Sequence, residues 1–484
     1  MNDVDKTLIK KLAERASELG GRAYMVGGAV RDEIMKRPIK DVDIEVHGIS
    51  GAVLEMVLKE LGKPLRFGSA FGVYSLAGHQ IDIALPRSER KAGNGHRDFE
   101  IEIDPFIGIK EAARRRDFTM NALLKDILTG EIADPYGGTE DIENRIIRHI
   151  DDKKFGEDPL RALRAAQFRS RFGFQVAPST ISICSALDLR YLSAERVEME
   201  MKKALLESHR PSEFFECLRE MGQLGYWFQE LEQLIGLEQN PKFHPEGDVW
   251  THTMMVLDRA AQFRPSASDP YAFMLLALTH DFGKITTTEF VNGAIHAYGH
   301  EIQGAEIAER FLDRVCHGSD IKKYIANMIP NHMRPNKIAE ARSSVKKTNR
   351  MFDDAIAPSD LIYFAICDKP KLPHLDAHNL SQASNEPHET QGNIEIESEL
   401  YTADERLRER ERIKFLFDRL DLYRDMMARP YVTGKDLIDR GIMPGDDFGI
   451  ILEYAHKLRL AGVSKDDALK QTLSYARKLR KNIK

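Results

Sequence analysis

The stretch 24–46, YMVGGAVRDEIMKRPIKDVDIEV, constrains the fold more than any other part of the chain. It reads as strand, glycine turn, short helix and strand, so two extended runs, AYMVGG and DVDIEVHG, flank the helix AVRDEIMK. Alternate side chains of a strand share a face, which sets Asp41, Asp43 and Glu45 on one side and Val42, Ile44 and Val46 on the other. The apolar face suits packing on a helix layer, and the acidic face is expected to meet water or metal. Carboxylates two residues apart can hold divalent ions about 4 Å apart, one activating an attacking hydroxyl and the other supporting a leaving phosphate. Mg²⁺ prefers such oxygen ligands and keeps substrate phosphates among them. An isolated D-x-D is equally an exposed strand edge of alternating charge. The upstream glycines narrow the choice: Gly27 and Gly28 end a strand and start a helix, where backbone N–H groups can face a triphosphate, and Arg31 lies one turn in. Asp82, in HQIDIAL, is the candidate third metal ligand, although alternation with Ile81 and Ile83 also suits a half-buried strand.

Residues 5–20 carry Leu8, Leu12, Ala16 and Leu19 on one helical stripe, closed by Gly20 and Gly21. A further helix over 53–61 and strand patterns at FGVYSLAG and HQIDIALP complete an α+β head with a small mixed sheet, residues 1–150. From EDPLRALRAAQF onward the periodicity is helical. A chain of 484 residues exceeds one core, and the expected division is a helical neck at 151–240, a body at 241–345 extending to about 370, a polar turn-rich loop or insertion at 371–400, and a helical tail at 401–484. The remainder after the head is expected to be all-α. No run approaches the roughly 18 apolar residues of a membrane span, and the N-terminus lacks the apolar core of a secretory signal, so a cytoplasmic protein without membrane contact is expected. Four dispersed cysteines without C-x-x-C spacing point to reduced core thiols. A net charge of −6 excludes a global basic field, leaving local clusters at 87–97, at Arg114, Arg115 and Arg116, at 161–171 and in ARKLRKNIK.

VGGAVRD, KDVDIEV, RRRDFTMNAL (114–123), ADPYGG (133–138) and EDPLRALRAAQFRSRFGF (157–174), in that order and spacing, resemble the bacterial class II tRNA nucleotidyltransferases, the CCA-adding enzymes of the polymerase-beta-like superfamily. The resemblance implies addition of C, C and A to the tRNA 3′ end from CTP and ATP with Mg²⁺. It implies that Asp41 and Asp43 carry the catalytic metals, that Gly28 with Arg31 contacts the triphosphate, and that Arg116 and Asp117 address the ribose while Asn121 orders their turn. Glu157, Asp158 and Pro159 suit a helix start whatever else they do. Asp158 and Arg161, three apart on one face, also offer an acceptor and a forked donor that match the edges shared by cytosine and adenine, and the family assigns base choice to them. Arg164 is expected on phosphate, and Gln167 stands where many members carry another arginine. The loop around Gly93, Asn94 and Gly95 lies where the family switches from C to A addition. The alternatives are a CC-adding or A-adding enzyme or a poly(A) polymerase.

HPEGDVWTHTMMVLD (244–258), ALTHDFGK (277–284), GHEIQGAEIA (299–308) and CDKP (367–370) resemble the HD metal-dependent phosphohydrolases. That implies a divalent metal, its identity unspecified, on His252, His280, Asp281 and Asp368 with positions left for water, and His300 and His332 as possible additions. Family chemistry of this kind acts on phosphorylated or cyclic RNA ends or nucleotides. It supplies the alternative from another class, a hydrolase whose head only binds RNA. The C-terminal segment resembles the tail of the CCA-adding enzymes, with Lys435 and the terminal basic cluster as candidates for tRNA phosphates. Nothing in the sequence sets the oligomeric state.

Overall fold

The computed structural model describes residues 3–39, 41–67, 72–79, 81–91, 99–369 and 403–482. The loop at Gly93 to Gly95 and the expected insertion at 371–400 lie outside the described residues. The chain divides into two compact units, Met1–Gln229 and Glu230–Lys484, so the first holds the expected head and the expected neck as far as residue 229.

The first unit opens with α1 (Asp3–Glu18), which buries Ile9, Leu12, Ala13 and Ala16. The expected stripe is rotated: Leu19 is exposed, because the helix stops at Glu18 and Gly20, at φ +84°, turns the chain. Then follow β1 (Arg22–Val26), α2 (Gly28–Ile34), β2 (Val42–His47), α3 (Gly51–Leu61), β3 (Pro64–Phe67), β4 (Val73–Leu76), β5 (Ile81–Ala84), β6 (Leu124–Asp126) and β7 (Ile132–Ala133). Their sheet runs β3-β4-β5-β2-β1-β6-β7. Only β2 and β5 pair in parallel among its neighbours, which makes the sheet mixed as expected. Val42, Ile44 and Val46 bury their face against Ile9 and Leu12 of α1 and Leu54, Val57 and Leu58 of α3. Each such aliphatic contributes roughly 1.5–3 kcal/mol when fully buried, so this layer holds β2 rigidly. The neck helices α4 (Leu160–Phe172), α5 (Ala194–Glu207) and α6 (Ser212–Glu220) follow. Asp158 Oδ1 accepts from the Leu160 N–H at 3.1 Å to start α4, and Gly173, at φ +68°, ends it.

The second unit is built from α7 (Val249–Phe263), α8 (Pro270–Thr279), the hairpin β8 (Thr288–Val291) and β9 (Ala294–Ala297), α9 (His300–Val315), α10 (Ser319–Asn331), α11 (Val345–Asp354), α12 (Pro358–Cys367) and α13 (Ala403–Ala428). Residues 271–279 of α8 are buried on every side, as its unbroken apolar sequence requires of a central helix. The hairpin corrects the all-α expectation for this part of the chain, as does a two-residue parallel pairing of Ile146–Ile147 with Gln175–Val176 in the first unit. Its turn is Asn292-Gly293, both at positive φ, the conformation that a two-residue hairpin demands and that Asn-Gly supplies. Three last helices, α14 (Gly434–Ile438), α15 (Phe448–Leu460) and α16 (Lys465–Asn482), enclose a small core of Leu437, Ile442, Ile451, Leu469 and Ala476. Thr433 and Asp436 cap α14 reciprocally. The four cysteines are buried and free, and among the described residues no helix is long and apolar enough to cross a membrane.

Candidate functional site

In the head, β1 gives way to Gly27, whose φ of +66° admits glycine with least strain and whose N–H donates to the Leu123 carbonyl at 3.1 Å. A Cβ on Gly27 would stand 2.7 Å from Arg116 Nη1, so that guanidinium lies directly against the glycine turn. Across the sheet Asp43 sits opposite Val26 and, in the parallel register, beside Asp82. The fold thereby brings Asp82 to the D-x-D aspartates across 39 residues of sequence. Asp41, Asp43 and Asp82 reach solvent, yet desolvation pushes the Asp43 carboxyl above its usual range against Arg116, and Asp82 and Asp41 add to the rise. Crowded like charges of this kind are what divalent cations relieve, so the residues fit the Mg²⁺ that the sequence implied.

Glu45 departs from the expected acidic face. It is buried, accepts from His47 Nε2 at 2.8 Å, and lies 3.5 Å from both Arg115 and Arg116. Burial alone would raise its pKa, but the His47 bond and the two arginines hold it at about 2. Strand alternation specifies a side, and here packing closes that side beyond Asp43.

Arg31 is buried over the rings of Phe168 and Phe172, 5.2 and 4.8 Å from their centres, with Nη1 donating to Asn121 Oδ1 at 2.7 Å and Nε to Asp32 at 2.8 Å. Asn121 orders the Arg116-Asp117 turn by donating to Asp117 Oδ1 at 2.9 Å. Asp117 Oδ2 accepts from Arg164 Nε at 2.6 Å, which engages Arg164 with the ribose candidate instead of leaving it free for phosphate. Burial would raise Asp117, yet Arg164 and Asn121 hold its carboxyl below the usual range. Arg161 donates to the carbonyls of Lys154 and Arg115, each at 2.7 Å, and the Asp158 carboxylate accepts from Arg196 Nη2 at 2.9 Å. The two base-choosing candidates therefore sit one turn apart with their polar atoms bonded to other groups, and Gln167 is buried in the neck. Arg196, in SAERVEME, went unremarked in the sequence because one arginine in a charged helix carries no signal until its partner is seen.

The second unit assembles His252 of α7, His280 and Asp281 after α8, His300 of α9, His332 after α10 and Asp368 after α12. Nδ1 of His280, His300 and His332 each faces the carbonyl three residues earlier, Ala277, Ala297 and Ile329, at 3.0, 2.8 and 2.6 Å. A carbonyl only accepts, so each Nδ1 carries the proton and each Nε2 presents a lone pair inward. His252 Nε2 lies 3.2 Å from Asp368 Oδ1, and His280 Nε2 lies 3.2 Å from Asp281 Oδ2. The Nε2 atoms of His280 and His300 are buried with no hydrogen-bond partner. Donor atoms of His252, His280 and Asp281 cluster within 4.8 Å of one another, and those of Asp281, His300 and His332 do the same. Orphaned lone pairs around shared carboxylates fit a divalent metal. Burial drops His332 to about 4 and so keeps it neutral, while against burial Lys284 holds the Asp281 carboxyl, and His252 the Asp368 carboxyl, below the usual carboxylate range.

Two participants, Glu246 and Lys284, were not singled out in the sequence. Glu246 accepts from His252 Nδ1 at 2.8 Å and from His244 at 3.0 Å, and Lys284 places Nζ 2.7 Å from Asp281 and 2.6 Å from Gln239 Oε1. Their signal was present, since Lys284 lies one turn after Asp281 and Glu246 two residues after His244.

Comparison with known proteins follows the same division. Residues 23–148 match the family described as Poly A polymerase head domain, and residues 249–422 match HD domain. The multifunctional CCA protein of Actinobacillus pleuropneumoniae serotype 5b is 37% identical over 326 residues, 66% of this chain and 77% of that protein. That of Stenotrophomonas maltophilia is 43% identical over 332 residues, 67% of this chain and 78% of that protein. Among solved structures, the Thermotoga maritima CCA-adding enzyme complexed with tRNA shares the fold with a TM-score of 0.62 at 18% identity, over 98% of this chain and 96% of that one. The Bacillus stearothermophilus CCA-adding enzyme in complex with CTP does so with a TM-score of 0.60 at 21% identity, over the whole of both chains.

Proposed function

The chain belongs to the family of multifunctional CCA proteins, and from that premise we propose that its first unit adds C, C and A to the 3′ end of tRNA without a nucleic-acid template. The observation that carries the reading is the Asp43–Asp82 register beside the Gly27 turn. The terminal 3′-oxygen bonds to the α-phosphorus of CTP or ATP, the bond to the β-phosphate oxygen breaks, and pyrophosphate leaves. Two divalent ions on Asp41, Asp43 and Asp82 would supply activation of that hydroxyl and neutralisation of the leaving group.

The chain's own residues do the rest. Gly27 and Gly28 let the phosphates approach the backbone at the start of α2, and Arg116, held by Glu45 and the Asn121 carbonyl, sets a cation against that turn. Asp117 is the acceptor for the ribose hydroxyl, kept ionised by Arg164. Asp158 and Arg161 choose the base when their partners Arg196 and the Lys154 and Arg115 carbonyls release them. Purified chain with Mg²⁺, labelled CTP or ATP and tRNA transcripts ending before CCA, after one C and after CC tests this. Growth to CCA and a halt there is expected; growth confined to CC, or starting only from a CC end, overturns the full reaction.

The buried histidine cluster favours a second activity, hydrolysis of phosphate esters on nucleotides or RNA ends. A divalent metal on His252, His280, Asp281 and Asp368 would supply Lewis-acid polarisation of the ester and of an attacking water. Glu246 and the three backbone carbonyls fix the imidazoles, Lys284 steadies Asp281, and the water oxygen replaces one ester oxygen on phosphorus while its proton passes to the leaving oxygen. Release of phosphate, or opening of a cyclic phosphate end, by chain supplied with divalent metals is the test.

A further inference from the structure

The open side of the second centre is marked by which ligands keep some exposure. The side chains of His252, His280 and Asp281 are at most 3% exposed, whereas His300, Asp368 and the neighbouring His244 keep 11, 13 and 25%. Solvent thus reaches the cluster past His244, His300 and Asp368. An exposed aromatic stands beside each: Phe243, 70% exposed, directly precedes His244, and Tyr298, 76% exposed, precedes His300 by two residues. The Tyr298 ring lies parallel to that of His296, with centres 4.9 Å apart and planes within 10°.

This stacked pair is tied to the segments that carry the ligands. The His300 imidazole donates to Ala297, the residue between the two rings, at 2.8 Å. The Thr288 hydroxyl binds the Lys284 carbonyl at 2.7 Å, fixing the first strand of the hairpin to the turn that holds Asp281. Asn240 Nδ2 donates to the Ile295 carbonyl at 3.4 Å, anchoring the second strand to the segment that leads to Phe243. A ring presented to water on a braced hairpin adds nothing to the core, and its free face accepts any flat π-system.

We propose that Tyr298, backed by His296, is the stacking platform for the nucleobase of the nucleoside whose phosphate is held at the histidine cluster. The proposal rests on the phosphohydrolase reading of that cluster. Stacking tolerates every base, so the centre selects nucleoside phosphates over simple phosphate esters without reading sequence.

The test uses the full chain with Mg²⁺, Mn²⁺ and Ni²⁺ in turn and two cyclic esters, 2′,3′-cyclic AMP and base-free glycerol 1,2-cyclic phosphate. Tyr298→Ala is expected to lower the ratio of their kcat/KM values about tenfold, through KM for the nucleotide, and Tyr298→Phe to restore it. A melting temperature of the second unit equal to that of wild type reports that the variants are folded. The same shift on a tetranucleotide ending in a cyclic phosphate identifies RNA ends as the source, and a shift on cyclic AMP alone identifies free nucleotides. An unchanged ratio, or equal loss on both esters, overturns the platform. If wild type opens neither ester, the hydrolase reading fails, and photolabelling with 8-azidoadenosine 2′-phosphate decides the platform separately. An adduct on the peptide of His296 and Tyr298 sustains it, and labelling only elsewhere overturns it.

Discussion

At the scale of single residues, the head site depends on groups whose form is dictated by their neighbours. Gly27→Ala puts a side chain on a φ of +66°, at a cost of about 1 kcal/mol, and pushes Arg116 off the turn. Nucleotide KM should therefore rise roughly tenfold or more, read by CTP titration of the addition reaction, with little change in melting temperature. Asp117 tests the buried pairing through pH. Its pKa is lowered in the fold, so the stability it lends is complete above about pH 4, where an unfolded aspartate is ionised, and is lost as pH falls through the folded value. Asp117→Asn should flatten the acid limb of head stability, measured as melting temperature between pH 3 and 6, and a limb as steep as wild type would show the pairing to be inert. Glu45 shows why the site was only half legible beforehand. Alternation assigned it correctly to the Asp43 side and sets His47 next to it, but whether that side is open or closed depends also on Arg115 and Arg116, which only the fold brings near. Asp41, Asp43 and the glycines were legible because local spacing alone positions them.

At the scale of elements, the second centre requires α9 to pass close to the turn after His280. A Cβ on Gly283 would lie 1.9 Å from the His300 carbonyl oxygen and 2.7 Å from the Gly304 nitrogen, both backbone atoms that cannot rotate aside. Gly283→Ala must displace α9 and carry His300 with it. The expected result is a loss of about 3 kcal/mol in the stability of the second unit and weakened metal binding by calorimetric titration, with nucleotide addition retained. Metal affinity equal to wild type would mean that His300 is no ligand. That contact pairs residues 17 and 21 apart in sequence and leaves no periodic trace. The hairpin before α9 was a different failure, since Asn292-Gly293 between FV and AI is a strong local signal that the surrounding helical periodicity masked. Helices α7 and α9 carry an apolar pattern at helical period, whereas α8 is an unbroken apolar run with no period of its own.

At the scale of the whole molecule, each centre draws its residues from one unit alone: 27–196 for the head and neck, 239–368 for the histidine cluster. Each unit also encloses its own apolar core, with the C-terminal helices adding a further small one. Substitutions that remove charge without removing volume should then separate the two chemistries. Asp43→Asn leaves the β2–β5 register in place and takes away one carboxylate from the face proposed to hold the metals, so nucleotide addition should fall roughly a hundredfold or more while ester hydrolysis persists. Asp281→Asn should do the converse, because Asp281 is the carboxylate common to both histidine groups. The pair of variants, each assayed for incorporation of CMP and AMP into tRNA and for release of phosphate, decides whether one chain houses two reactions. Loss of both activities in either variant would mean that the units are coupled, and hydrolysis surviving Asp281→Asn would remove the histidine cluster from the chemistry.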